Sequence, residues 1–131
     1  MVYKNFTVSL ALIGAVFLSA CSSELASVTP KQAASMFAKK EAIILDVREL
    51  DEWHAQHITG AIHIPLAQVE QRLGELAQYK NSPVIVQCRS GKRSARAADT
   101  LQSAGFTQVY NLTGGINAWA GDGLQTAQTK L

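Results

Sequence analysis

Chemistry concentrates in one stretch of the 131-residue chain, Pro83-Val84-Ile85-Val86-Gln87-Cys88-Arg89-Ser90-Gly91-Lys92-Arg93-Ser94. The apolar, β-branched run from Val84 to Val86 predicts a buried strand that stops at a lone cysteine, followed by three cations, a glycine and a serine. A helix is expected directly afterwards. Ala95, Ala98 and Leu101 recur at helical spacing, Ser94 stands where a cap belongs, and Gly105 can end the helix in a left-handed turn. Open α/β folds place their chemistry at such a strand's carboxyl end. Loop N–H groups and the helix N-terminus would both face the sulfur and favour negative charge on it. Cys88 is therefore expected to be a thiolate nucleophile. An inert cysteine would sit among apolar side chains rather than beside Arg89, Lys92 and Arg93.

The elements that must position this loop follow from the rest of the pattern. Thr29-Pro30 predicts a helix start, with Ala33, Ala34, Met36 and Phe37 as its apolar stripe. Ala42 to Val47 reads as a strand buried on both faces, ending in the charged residues Asp46 and Arg48. Glu49 to Gln56 has helical character, His63-Ile64-Pro65 a short strand, and Leu66, Val69, Leu73 and Leu76 mark a helix packed on a sheet. A last strand is expected over Gln108 to Leu112, with Gly114-Gly115 turning into a closing helix through Ile116 and Trp119. Strands alternating with helices predict an α/β fold of three layers, helices covering both faces of a mostly parallel, five-stranded sheet.

Composition sets further bounds. The chain is 47% hydrophobic and carries 12 Lys+Arg against 10 Asp+Glu with no run of like charge, which fits one domain and gives a nucleic-acid role no electrostatic support. Its first twenty residues differ from the others: Lys4 is the only charge before Glu24, and Val8 to Ala20 is almost wholly apolar. That is the pattern of a targeting segment, shorter than a membrane span. Leu18-Ser19-Ala20-Cys21 resembles the bacterial lipobox, which implies removal of residues 1–20 and lipidation of Cys21. Cleavage after Ala20 without lipid, or a retained anchor, are the alternatives. Ser22 after the cysteine implies, by the lipoprotein pattern, anchoring at the outer membrane and facing the periplasm. An acylated Cys21 leaves Cys88 as a single unpaired thiol in an oxidising compartment.

Several segments together resemble the rhodanese domain. They are Asp46-Val47-Arg48, Glu52-Trp53, His57 to Pro65, Cys88 to Ser94, Asn111 to Ile116 and Ala118-Trp119, in the family's order and spacing. The resemblance covers about residues 28–124, leaving 21–27 as a lipidated tether and 125–131 as a polar tail. Gln56 departs from it, standing where many members have glycine. The resemblance implies a rhodanese-like fold and a sulfurtransferase without cofactor, in which Cys88 takes a sulfane sulfur from a donor such as thiosulfate. The resulting persulfide would pass it to cyanide or a thiol. It further implies that Arg89, Ser90, Gly91, Lys92, Arg93 and Ser94 bind the anionic donor, with Asp46 and Arg48 supporting the loop as an ion pair.

Three alternatives stay open. One is a periplasmic carrier that hands persulfide sulfur to a partner protein. Another is a binding module without turnover, although such modules commonly lack the cysteine. The third is Cys-dependent phosphatase or arsenate reductase chemistry, whose loops are Cys-x5-Arg, whereas Arg93 follows Cys88 one position sooner. The spacing of His54, His57 and His63 does not predict convergence on a metal ion. His57 and His63 resemble structural positions of the family, and Trp53 and Trp119 are expected as core aromatics.

Overall fold

A computed structural model describes residues 24–130; the targeting segment and Cys21 lie outside the described residues. In chain order the elements are β1 (Ala26–Val28), α1 (Pro30–Ala38), β2 (Ile43–Asp46), α2 (Leu50–Ala55), β3 (His57–Ile58) and β4 (Ile62–His63). Two 3-10 segments follow, Leu66–Gln68 and Glu70–Tyr79, then β5 (Val84–Gln87), α3 (Lys92–Ser103), β6 (Val109–Leu112), α4 (Gly115–Gly121) and β7 (Thr126–Ala127). Among the described residues no helix is long and apolar enough to cross a membrane.

The five-stranded sheet has the order β1-β6-β5-β2-β4, and every neighbouring pair is parallel. Its central strands are buried on both faces, and alternate residues feed two separate cores. Leu45, Val47, Val84, Val86 and Cys88 point to the face covered by α3 and the 3-10 segments, against Ala97, Ala98, Leu101, Val69 and Leu76. Ile44 and Ile85 point the other way, to Ala33 of α1 and Ile116 and Trp119 of α4. This is the expected three-layer α/β/α arrangement. Each fully buried Leu, Ile or Val contributes about 1.5–3 kcal/mol to holding the layers together. Because Cys88 shares a face with Val84 and Val86, its sulfur lies on the α3 side of the sheet.

Local signals act as their chemistry predicts at most ends. Thr29 caps α1 with a reciprocal box: its hydroxyl receives the Gln32 N–H at 3.2 Å, and the Gln32 side chain receives the Thr29 N–H at 2.9 Å. Gly105 takes φ +92 just past the end of α3.

Elsewhere tertiary context wins over local pattern. The stretch from Leu66 onward is 3-10 helix rather than α-helix, broken at Arg72 (φ −109, ψ 16), although Val69 and Leu76 are buried as the spacing predicts. Ala26 and Ser27, at the end of the expected tether, join Val28 in the edge strand β1, which pairs with Tyr110 to Leu112. Thr126 and Ala127, in the expected polar tail, pair antiparallel with His57 and Ile58. Both strands are two or three residues long and show no periodicity that sequence could reveal.

Candidate active site

β5 delivers Cys88 to the carboxyl end of the sheet, and the loop to α3 folds back over its sulfur. The Gly91 N–H donates to Sγ at 3.1 Å, and the Ser94 hydroxyl lies 3.4 Å from it. The thiol is unpaired and 1% exposed. Burial pushes the Cys88 thiol up, yet hydrogen bonds from the Ser94 hydroxyl and from the Ser94, Gly91 and Ser90 N–H groups outweigh it. The net shift is downward, toward a thiolate. What the loop provides is a ring of donors for an anionic sulfur.

Gly91, not Ser94, is the cap residue of α3. Its φ of +120 belongs to the region glycine favours and turns its N–H onto the sulfur; Ser94 falls at the third helical position instead. There the buried Ser94 hydroxyl has its one proton shared between the sulfur and two further acceptors, the Gly91 carbonyl at 3.0 Å and Asn111 Oδ1 at 2.6 Å. Asn111 closes the circuit by donating from Nδ2 to the Gly91 carbonyl at 3.4 Å.

The far side of the Cys88 peptide is held just as firmly. Its carbonyl receives the Gln87 side-chain amide at 2.7 Å and the Ile116 N–H at 2.9 Å. Gly114 and Gly115, with φ +73 and +57, make the tight strand-to-helix turn that brings α4 this close. A Cβ at Gly115 would lie 2.3 Å from the Cys88 carbonyl oxygen.

Asp46 and Arg48 form the expected ion pair. Arg48 Nη2 lies 2.7 Å from Asp46 Oδ2, Nε lies 3.0 Å from Oδ1, and both residues are buried. The guanidinium also donates to the Gln56 carbonyl at 2.7 Å and the Glu52 carbonyl at 3.3 Å, fixing the C-terminal end of α2 against β2. The Arg48 carbonyl is met by His63 Nε2 at 2.8 Å. Trp53 is stacked between His57 and His63, with ring centroids 4.0 and 4.8 Å away, so it bridges two histidines rather than lying in the sheet core. Trp119 is buried, its indole N–H donating to the Gln125 carbonyl at 3.0 Å.

The loop cations diverge. Arg93 is engaged by Glu52 of α2 in a bidentate pair at 2.6 and 2.8 Å. This partner holds the Glu52 carboxyl down at about 2 and raises the Arg93 guanidinium further. Arg89 and Lys92 are exposed and, among the described residues, have no acidic partner. Ser90 is exposed at the loop tip. A cavity of about 240 Å³ adjoins the loop, walled by Arg48, Glu52, Gln56, Arg89, Ile116 and Asn117. A larger hollow of about 680 Å³, bounded by Leu50, Asp51, His54, Ala55 and Thr129, touches none of the loop residues.

Sequence reasoning missed Glu52, Gln87, Asn111 and Ile116 as parts of this site. Gln87 carried a signal, a polar residue at the end of an apolar strand. Glu52 carried none toward Arg93, 41 positions away.

Similarity to known proteins agrees with the geometry. A family profile described as the rhodanese-like domain matches residues 29–122. A Bacillus subtilis protein named for a proposed sulfur-carrier role, YrkF, is 42% identical over 105 residues, covering 76% of this chain and 56% of its own. The chain thus spans little more than half of that relative's length. The thiosulfate sulfurtransferase GlpE of Coxiella burnetii is 36% identical over 88 residues, which are 67% of this chain and 80% of that protein. The crystal structure of a thiosulfate sulfurtransferase from Pseudomonas aeruginosa superposes with a TM-score of 0.73 at 30% identity, over 81% of this chain and 21% of that one. From its nucleophile loop, its parallel sheet and these matches, the chain belongs to the rhodanese family.

Proposed function

We propose that the protein is a sulfurtransferase working through a persulfide on Cys88. The observation that carries this reading is the Cys88 sulfur itself, buried yet ringed by N–H and hydroxyl donors that lower its pKa. Thiosulfate is a suitable donor. The Cys88 thiolate attacks its outer sulfur, a sulfur–sulfur bond forms, and the bond to the sulfonate sulfur breaks with its electron pair, releasing sulfite. Cys88 then carries a persulfide anion where the thiolate had been, and the same donors hold it. Cyanide or a thiolate acceptor removes the terminal sulfur and restores the Cys88 thiolate. Arg89, Lys92 and the polar loop from Ser90 to Ser94 form the donor-binding side of the site, while Asp46 and Arg48 hold the neighbouring strand end. The test is thiocyanate formation from thiosulfate and cyanide by the wild-type protein and by Cys88→Ser. Turnover surviving in the serine variant would end this assignment.

The similarity to YrkF favours a second reading, delivery of the persulfide sulfur to a partner protein. Discharge by a thiol protein much faster than by cyanide would select it.

We also propose that residues 1–20 are a lipoprotein signal segment and that Cys21 anchors the domain in the bacterial envelope, on the strength of Leu18-Ser19-Ala20-Cys21. Replacing Cys21 with serine is expected to move the protein from the membrane to the soluble fraction. A variant that stays membrane-bound would refute lipid anchoring.

A further inference from the structure

Glu52 is fixed from several directions while it holds Arg93. Its Oε2 accepts from Arg93 Nη1 at 2.6 Å and from the Glu49 N–H at 3.0 Å, and its Oε1 accepts from Arg93 Nη2 at 2.8 Å. Its backbone carbonyl accepts from Arg48, which is itself locked on buried Asp46. Glu52 is also a wall of the cavity beside the loop, sharing that space with Arg89.

This placement changes the electrostatics that three loop cations suggest. Glu52 cancels the field of Arg93 at close range, and the attacking sulfur is itself negative. With Arg93 neutralised, a doubly charged donor entering beside Arg89 gains less attraction than three loop cations suggest, while the thiolate repels it twice as strongly as a monoanion. A singly charged donor meets half that repulsion and offers the same reactive sulfur–sulfur bond.

We infer, resting on the sulfurtransferase reading above, that Glu52 determines specificity: by occupying Arg93 and walling the Arg89 cavity, it favours singly charged sulfane donors, such as thiosulfonates, over the thiosulfate dianion. With a thiosulfonate, R–SO2–S⁻, the Cys88 thiolate attacks the terminal sulfur and a new sulfur–sulfur bond forms. The bond to the sulfonyl sulfur breaks with its electron pair, and a sulfinate, R–SO2⁻, departs. Two negative charges enter the step and two leave it, with no proton, oxidant or reductant required. Glu52 touches no reacting atom; it acts through Arg93 and through its own charge.

The experiment compares methanethiosulfonate with thiosulfate on the full chain, with cyanide as the common acceptor. Each kcat/KM is divided by the donor's rate with a free thiolate in solution. The wild-type protein is expected to prefer the thiosulfonate after this correction. In Glu52→Gln the preference should fall about threefold, thiosulfate gaining about tenfold, mainly through a lower KM, and the thiosulfonate about threefold. Glu52→Asp, which keeps the charge, should retain the wild-type preference. In Glu52→Gln/Arg93→Gln the gain with thiosulfate should vanish. A wild-type protein that prefers thiosulfate overturns the inference, whatever the variants do. So does a Glu52→Gln variant in which the ratio is unmoved, or in which both donors lose rate together. Failure of both donors to place sulfur on wild-type Cys88 would remove the sulfurtransferase reading as well, whereas loading with an unmoved ratio removes only the role of Glu52.

Discussion

Gly115 sits against the backbone of Cys88: a Cβ there would come within 2.3 Å of the Cys88 carbonyl oxygen and 2.6 Å of the Arg89 carbonyl carbon. Both obstacles are main chain, held by the Ile116 N–H on one side and the nucleophile loop on the other, so neither yields by a rotamer change. Gly115→Ala combines this clash with a φ of +57. It is expected to destabilise the fold by at least about 2 kcal/mol and to displace the loop. Urea denaturation together with persulfide loading checks this. An alanine variant as stable and reactive as wild type would show that the turn tolerates a side chain.

Ser94 is expected to matter through the acidity of Cys88. Burial alone raises the thiol, and the Ser94 hydroxyl is the largest of the contributions that bring it down. Ser94→Ala should shift the pH profile of Cys88 alkylation upward and slow alkylation several-fold at neutral pH. The reaction of the fully formed thiolate at high pH should change little. The profile against iodoacetamide reads this directly, and a midpoint that stays in place would exclude Ser94 as a stabiliser of the thiolate.

Arg48→Met should cost far more than a surface charge. It leaves Asp46, 0% exposed, without its counterion and frees the Gln56 and Glu52 carbonyls from the guanidinium. Breaking a buried pair from one side typically costs about 3–5 kcal/mol. A double Asp46→Leu/Arg48→Met variant should recover part of that loss. Equilibrium unfolding of the single and double variants decides it.

Acid should weaken the α2–α3 contact in a defined window. The Glu52 carboxyl, held at about 2 by Arg93 against an ordinary 4.5, is depressed in the folded state, so its contribution is complete above pH 4.5 and is lost as pH falls through 2. Both side chains are a quarter to a third exposed, so solvent screening reduces the contribution to about 1 kcal/mol. Glu52→Gln should remove this part of the acid sensitivity, which unfolding midpoints between pH 5 and 2 would reveal.

The sheet's central strands were legible in sequence because parallel strands buried on both faces are continuous apolar runs, as Ile43 to Leu45 and Val84 to Val86 are. The nucleophile was legible because a lone cysteine at a strand's end beside cations is chemically unusual. The state of Arg93 was not. A cation in a loop reads the same whether it faces substrate or a carboxylate, and Glu52 reaches it only once α2 folds beside α3. Ser94 illustrates the same limit at short range. Its type predicts a cap, but the positive φ needed to aim the loop's N–H groups at sulfur falls on Gly91, which moves the helix start three residues earlier and leaves the serine beside the thiol. The edge strands β1 and β7 escaped because pairing partners, not their own residues, define them.

The most direct test of the central claim is the intact mass of the protein before and after exposure to a sulfane donor. Wild-type protein is expected to gain one sulfur atom, removed again by cyanide with release of thiocyanate, while Cys88→Ser, folded as judged by circular dichroism, gains none. A wild-type protein that gains no sulfur from any sulfane donor, or a serine variant that gains it equally, would contradict sulfur transfer through Cys88.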